Sequence, residues 1–475
     1  MLFPTIDFAI FFGLVFVVHW LLNPFPKQWK LFMIGASYVF YGWWDWRFVF
    51  LLAGVTVAAQ AGTLLIHRFE EERLRRSALA GTVVVILGLL AWFKYYGFLA
   101  LNLSNTLHIF RIRSPLPLLQ VALPVGISFF TFMAISYAVD VYRRRLEPAA
   151  WLDVAVYLSF FPHLVAGPIV RGGELLPQIR GRRDPRRVDR SRAAYLIFGG
   201  LFKKVVVSSF LASAIVDPVF GTPGQHTGLE ILVAVYAYAV QIYADFSGYT
   251  DMAIGIALLL GFRFPENFDA PYTARSLQDF WRRWHMTLSR WLRDYVYIPL
   301  GGSRDSARWK TYRNVMITML LGGLWHGAAW TFVFWGGLHG AGLAAGRWKR
   351  ERRLARGLPA MADAPAARLV QRVATFNLVC LGWLFFRADS LRTAFAMLGR
   401  LVTTFGPAPA ATPLVLLVIL GMLAAQYVPK ELPARVQDGF SQLRPAVQGA
   451  VLAAVLFTAT TMGPQGVAPF IYFRF

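Results

Sequence analysis

Two histidines, His326 and His339, lie in the stretch LLGGLWHGAAWTFVFWGGLHG (Leu320–Gly340), which is otherwise apolar, aromatic and glycine-rich. Such a segment can span a bilayer, where an ionisable side chain is costly and is retained for a purpose. The two residues are thirteen positions apart. On one unbroken helix that means about 20 Å of rise and roughly 140° of rotation, so they share no ligand unless the helix folds back. No H-E-x-x-H or paired-carboxylate pattern points to a metal elsewhere. The single cysteine, Cys380, excludes a cysteine cluster and an intramolecular disulfide. His326 has Gly322, Gly323 and Gly327 around it and Trp325 beside it. The glycines strip away side chains so that a backbone or a ligand can come close, and a neutral imidazole with a pKa of about 6.5 suits general-base work. The residues alone leave open whether this ring is a base or a packed structural group. The remaining histidines read as structural or carry no signal: His19 and His67 end apolar runs, His108 and His226 sit in polar connections, and His163 falls in a proline-broken segment.

A second unusual stretch is SLQDFWRRWHMTLSRWLRDYVYIPLGGSR, Ser276–Arg304, which sets Arg282, Arg283, Arg290 and Arg293 among Trp281, Trp284, Trp291 and Tyr295 and includes His285. One reading is an interfacial helix whose arginines snorkel to headgroups while aromatics mark the boundary. The other is a cationic mouth for an anionic donor such as a phosphate-bearing thioester. Its PLGGSR lacks the lysine and the spacing of a P-loop. A third feature places Asp245, Ser247, Tyr249 and Asp251 within seven residues at the end of an apolar run. Carboxylates so placed must face water, cations or hydrogen-bond donors, as a polar tunnel would allow.

The elements that position these groups are membrane helices. Of 475 residues 57% are hydrophobic and only 15% charged, with a mean hydropathy of +0.49, against about 25% charged in an ordinary soluble domain. The net charge of +23 resides in short loops between apolar runs, among them HRFEEERLRR at 67–76, RRR at 143–145, RGRRDPRRVDRSR at 180–192 and RWKRERRLAR at 347–356. That is the positive-inside pattern of cytoplasmic loops rather than a nucleic-acid groove. Apolar runs at Phe8–Leu22, Leu31–Trp44, Phe48–Ile66, Leu79–Phe93 and Val121–Val141 place three basic loops on one side and the N-terminus outside, with Arg111 and Arg113 in dissent. The N-terminal run lacks a basic start and a cleavage site and reads as a retained first span. SFFPHLVAGPIVRGGELLPQI holds three prolines and predicts a broken or re-entrant segment. Phe262–Arg313 is too polar to span, and Arg347–Arg372 reads as a mobile cytoplasmic loop. The expectation is an all-α polytopic membrane protein, one membrane-embedded domain over 1–475, with about ten to twelve membrane helices plus re-entrant and interfacial ones.

Six motifs in order, ASYVFYGWWDWRF, PVGISFFTFMAISYAVDVYR, FPHLVAGPIVR, ADFSGYTDMAIG, FWRRWHMTLSRWLRDYVYIPLGG and LLGGLWHGAAWTF, together with the terminal PFIYFRF, resemble the membrane-bound O-acyltransferase (MBOAT) family, in its alginate O-acetylation branch. The resemblance implies helices around a central tunnel, a catalytic region at about 150–345, a catalytic histidine at His326 and a second polar position at His285. It implies no bound cofactor. Acetyl-coenzyme A or an acylated carrier is the donor, entering past Arg282, Arg283, Trp284 and Arg293, with Asp245, Ser247, Asp251 and Trp325 as further substrate-binding candidates.

The expected activity is transfer of an acyl group, acetyl in this branch, across a bacterial inner membrane to an extracytoplasmic polysaccharide such as alginate. A periplasmic acetyltransferase and the polysaccharide machinery are the implied partners, with membrane lipid around the chain and no nucleic acid. His326 accepts the acceptor's proton, and His285 orients or polarises a reacting group. No G-x-S-x-G elbow is present to carry the acyl group onward. The competing readings are a transporter of acyl donor or glycan without chemistry and a D-alanyl transferase to a wall polymer.

Overall fold

The computed structural model describes residues 1–112, 116–117, 119, 121–303, 307–429 and 431–462, and among them every regular element is helical. Arg113, Arg304 and the terminal PFIYFRF lie outside the described residues.

The first helix shows why these elements belong in lipid. In α1 (Ile6–Leu22) the Thr5 hydroxyl caps the start by accepting from the Phe8 amide. Phe8, Phe11, Val15 and His19 face inward. Ile6, Ile10, Leu14, Val17 and Leu21, a stripe at helical spacing on the opposite face, are exposed. A helix apolar all round has no water-facing side, and such a stripe finds its solvent in acyl chains. Five helices are long and apolar enough to cross a membrane: Arg47–Arg68, Glu72–Ile109, Arg190–Gly221, Gly228–Leu259 and Pro365–Arg387. Each exceeds the roughly 20 residues that a bilayer core requires. Shorter apolar helices are Ile6–Leu22, Ile127–Tyr142 and Pro413–Ala425. The chain is a multi-pass membrane protein.

The chain divides into two compact units, Met1–Ala193 with Ala253–Pro265, and Ala194–Met252 with Glu266 onward. The first holds α1, α2 (Pro26–Gly42), α3 (Arg47–Arg68), α4 (Glu72–Ile109), α5 (Ile127–Tyr142), α6 (Trp151–Ser159) and α7 (Gly172–Arg180). α4 passes through a π turn at Ala91–Tyr95 and continues well beyond the expected end at Phe93, so much of the segment read as a loop around Asn102 is helical. α5 starts six residues later than the run at Val121 suggested. The proline-broken segment is non-helical at Val165–Arg171, apart from one turn before it at Phe161–Leu164, as Pro162 and Pro168 demand.

The second unit takes up α8 (Arg190–Gly221) from Ala194 and α9 (Gly228–Leu259) as far as Met252. Its centre is α10 (Leu277–Arg283), α11 (Met286–Leu292), α12 (Arg308–His326) and α13 (Trp330–Leu354), followed by α14 (Pro365–Arg387), α15 (Leu391–Thr403) and α16 (Pro413–Ala425). Two expectations are corrected here. Leu320–Gly340 is not a single span: α12 ends at His326, Gly327–Ala329 turn, and α13 returns alongside. Arg347–Leu354 is not loop but the last turns of α13, and the connection is confined to Ala355–Ala364.

The hairpin closes on missing side chains. A Cβ on Gly323 would overlap the Phe332 carbonyl oxygen, one on Gly336 the Met319 carbonyl oxygen, and one on Gly327 the Phe332 ring. By contrast, a Cβ on Gly337 would meet only a Leu320 methyl at 3.8 Å. Gly336→Ala should therefore destabilise the protein by about 1–3 kcal/mol, read as a lower melting temperature in detergent. Gly337→Ala should be neutral or gain up to about 1 kcal/mol of helix propensity. Equal melting temperatures for the two variants would refute hairpin closure at Gly336.

Candidate active site

The hairpin turn presents His326 as the last residue of α12, with 4% of its surface exposed. Three rings enclose it edge-on: Trp325 at 5.0 Å and 76°, Trp335 at 5.0 Å and 85°, and Phe386 at 5.1 Å and 72°. Near-perpendicular packing sets ring edges against π faces and holds the imidazole plane.

His285 reaches the same cluster from a break. Ser276–Arg304 is not one interfacial helix, because α10 stops at Arg283 and α11 starts at Met286, with Trp284 extended and His285 left-handed at φ 42°. A non-glycine residue in that region is uncommon and must be over-determined by its surroundings. Those surroundings are Asn267. The Asp269 amide donates to the Arg283 carbonyl and the Met286 amide to the Asn267 carbonyl, both at 2.9 Å. The Asn267 side-chain Oδ1 accepts from the Thr287 amide at 3.1 Å and the Thr287 hydroxyl at 2.9 Å, and lies 3.1 Å from His285 Nδ1. The His285 ring is fully buried, edge-on to Phe246 at 4.7 Å and 5.8 Å from Trp325. His285 and His326 thus contact the same indole.

His339 lies on the far side of Trp335, 4.7 Å from its ring, so the fold-back that a shared site would need does occur. Its Nδ1, however, accepts from the Trp281 indole N–H at 3.3 Å, and its ring packs against that indole. Its Nε2 is buried with no hydrogen-bond partner among the described residues.

Beside these rings is a cavity of about 880 Å³. Eight arginines and lysines line it, among them Arg282, Arg290 and Arg293 from the tryptophan-rich stretch and Arg350 and Arg353 from the end of α13, and no described lining residue is a carboxylate. Trp281 forms part of its wall and lies 5.7 Å from Trp335. The α13 cations were missed because they were assigned to a loop; Arg347, Arg350 and Arg353 at three-residue spacing were the available signal. Such a cavity suits a polyanion.

The other candidates are distributed differently. Trp284 is core, 4.9 Å from Trp383 and 5.0 Å from Phe268. Arg283 pairs with Asp279 at 2.9 Å, and Arg293 pairs with Asp294 at 2.7 Å while lining the cavity. Asp245, Ser247 and Asp251 are inside α9 rather than at the end of a run, and they face cations the sequence reading overlooked: Lys204 pairs with Asp245, and Lys203 with Asp251 and the Ser247 hydroxyl. Both lysines fall in a π-helical stretch of α8, Phe202–Ser208. The signal was the KK in an apolar run, since a lysine at membrane depth implies a partner.

A sequence profile of MBOAT, the membrane-bound O-acyltransferase family, matches residues 85–356, a stretch that holds both His285 and His326. The chain belongs to this family. It is 41% identical over 401 residues to the probable alginate O-acetylase AlgI of Pseudomonas aeruginosa, covering 84% of this chain and 74% of that protein. With the probable alginate O-acetylase AlgI of Pseudomonas putida it shares 36% over 478 residues, 94% of each chain. With the peptidoglycan O-acetyltransferase of Helicobacter pylori it shares 36% over 422 residues, 82% of this chain and 77% of that one. The protein is a membrane O-acyltransferase, all-α as expected, and the transporter without chemistry is set aside.

Within this MBOAT chain the Lys204–Asp245 pair is almost fully buried. Removing one partner of such a pair strands the other charge and costs about 3–5 kcal/mol, whereas replacing both with apolar groups is close to neutral. Lys204→Met should sharply lower the yield of folded protein in detergent, and Lys204→Met with Asp245→Leu should restore most of it. A double variant no better folded than the single one would show that the pair contributes more than mutual neutralisation.

Proposed function

We propose that this MBOAT enzyme passes an acetyl group from a cytoplasmic thioester to the outer side of a bacterial inner membrane, for O-acetylation of an extracytoplasmic polysaccharide. The observation that carries the reading is the pair of buried imidazoles on one indole, His326 and His285 against Trp325, with a cationic cavity separated from His326 by Trp281 and Trp335. The names of the relatives favour acetyl as the group and a glycan such as alginate as its destination. The whole chain acts as one catalytic unit, its basic loops inside and its N-terminus outside.

The donor is acetyl-coenzyme A or an acylated carrier, its phosphates held by the cavity arginines, Arg282 and Arg293 included. His326 takes the proton of the acceptor hydroxyl as that oxygen bonds to the thioester carbonyl carbon. The carbon–sulfur bond then breaks, and the imidazolium returns its proton to the leaving thiolate, so the ring ends as it began. His285 orients the reacting group. His326→Ala should lower acyl transfer by about 10²–10⁴-fold with the protein still folded in the membrane. Near-normal transfer by a well-folded His326→Ala protein would refute the assignment.

The acceptor at His326 is a periplasmic partner's hydroxyl or a small carrier, and the partner completes the modification. The chain has a donor cavity and a base but no serine elbow to carry the acyl group onward. Purified protein in liposomes, given donor and polysaccharide alone, should yield little acetylated polymer, and addition of a periplasmic acetyltransferase should restore it. Efficient acetylation without a partner would show that the enzyme finishes the reaction itself.

A further inference from the structure

Asn267, which meets His285, is almost fully buried. Its amide orientation is fixed by a group that cannot change character. The Thr287 backbone N–H, 3.1 Å away, can only donate, so the atom facing it is the carbonyl oxygen and not the NH₂. An amide carbonyl oxygen can only accept. The ring nitrogen 3.1 Å from it, His285 Nδ1, must therefore carry a hydrogen. In a neutral imidazole with Nδ1 protonated, Nε2 is a bare lone pair. That Nε2 is buried and has no hydrogen-bond partner among the described residues.

We infer that Asn267 is a positioning residue that locks His285 as the Nδ1–H tautomer, so that His285 Nε2 serves the reaction as a hydrogen-bond acceptor. This rests on the reading that His285 works beside His326, and it narrows that reading. A neutral ring of this tautomer cannot donate from Nε2 to a thioester carbonyl or its oxyanion. It can receive the O–H of the incoming acceptor and turn that oxygen's lone pair toward the donor. The substrate it orients is the alcohol, and stabilisation of the oxyanion falls to other donors. Three features hold the device rigid: the left-handed backbone at His285, the paired backbone bonds to Asn267 and Asp269, and the Thr287 hydroxyl that also donates to Oδ1.

The direct test is ¹⁵N NMR of histidine-labelled protein in detergent near neutral pH, with the His285 signals assigned by their loss in His285→Gln. The expected wild-type pattern is a protonated Nδ1 and an unprotonated Nε2. Asn267→Asp, which keeps an acceptor in place, should retain that pattern and most of the activity. Asn267→Leu should lose the pattern and lower kcat on the order of tenfold or more, with KM for the donor little changed. An Nε2–H tautomer in the wild type overturns the assignment, and because it is read without an activity assay it does so even if the Asn267 variants fail to fold. A wild-type Nδ1–H tautomer alongside a fully active His285→Ala protein would leave the lock in place and overturn the catalytic role of His285 instead.

Discussion

The geometry around His326 depends on two helices approaching until backbone touches backbone. At Gly323 and Gly336 the carbonyl oxygens of Phe332 and Met319 occupy the space a side chain would need. Within a bilayer there is no hydrophobic driving force between helices, since acyl chains are as apolar as leucine, and association rests on close packing. The glycines supply that closeness. The tight return at Gly327–Ala329 then puts Trp335, one turn and a half into α13, against the ring of the residue that ends α12. An ordinary side chain at either crossing would push the helices apart and open the aromatic enclosure of the imidazole.

A second constraint follows from the first. Surrounding rings hold an imidazole plane by their edges and faces, whereas a hydrogen bond also commits one of its nitrogens. His326 and His339 both pack against Trp335, and His339 also commits its Nδ1 to the Trp281 indole N–H. His285 likewise commits one nitrogen, Nδ1, to Asn267, and its ring sits between Phe246 and Trp325.

How much of this was legible in the sequence varied with the range of the interaction. His326 stood out because its peculiarity is local, an ionisable residue with glycines at three of its near positions, and local composition is what a sequence displays. The pairing of His326 with His285 was legible only through family resemblance, since nothing in forty residues of spacing encodes a shared indole. The hairpin was hidden because Leu320–Gly340 has no proline or polar break, and its turn is made of small residues that an apolar helix also tolerates. The pairing of Lys203 and Lys204 with Asp251 and Asp245 is hidden for a related reason, since each lysine lies more than forty residues before the carboxylate it neutralises. Asn267 gave no sign at all, because an asparagine in a polar loop is unremarkable until its amide is seen between a backbone N–H and a ring.

The cationic cavity shows how a correct physical rule can be attached to the wrong element. The basic segment at 347–356 was assigned to a cytoplasmic loop by its charge, and excess positive charge does mark the cytoplasmic flank of a span. Charge excess identifies a side of the membrane, however, and says nothing about backbone conformation. Because α13 continues to Leu354, Arg347, Arg350 and Arg353 are held on a helix and face the same cavity as Arg282 and Arg293. Arginines on a rigid element present their forks at fixed positions, and a fixed array loses less side-chain entropy on meeting an anion than a mobile loop would. Positive charge of the kind that biases orientation in a membrane is therefore available here, without further residues, to meet a polyanion.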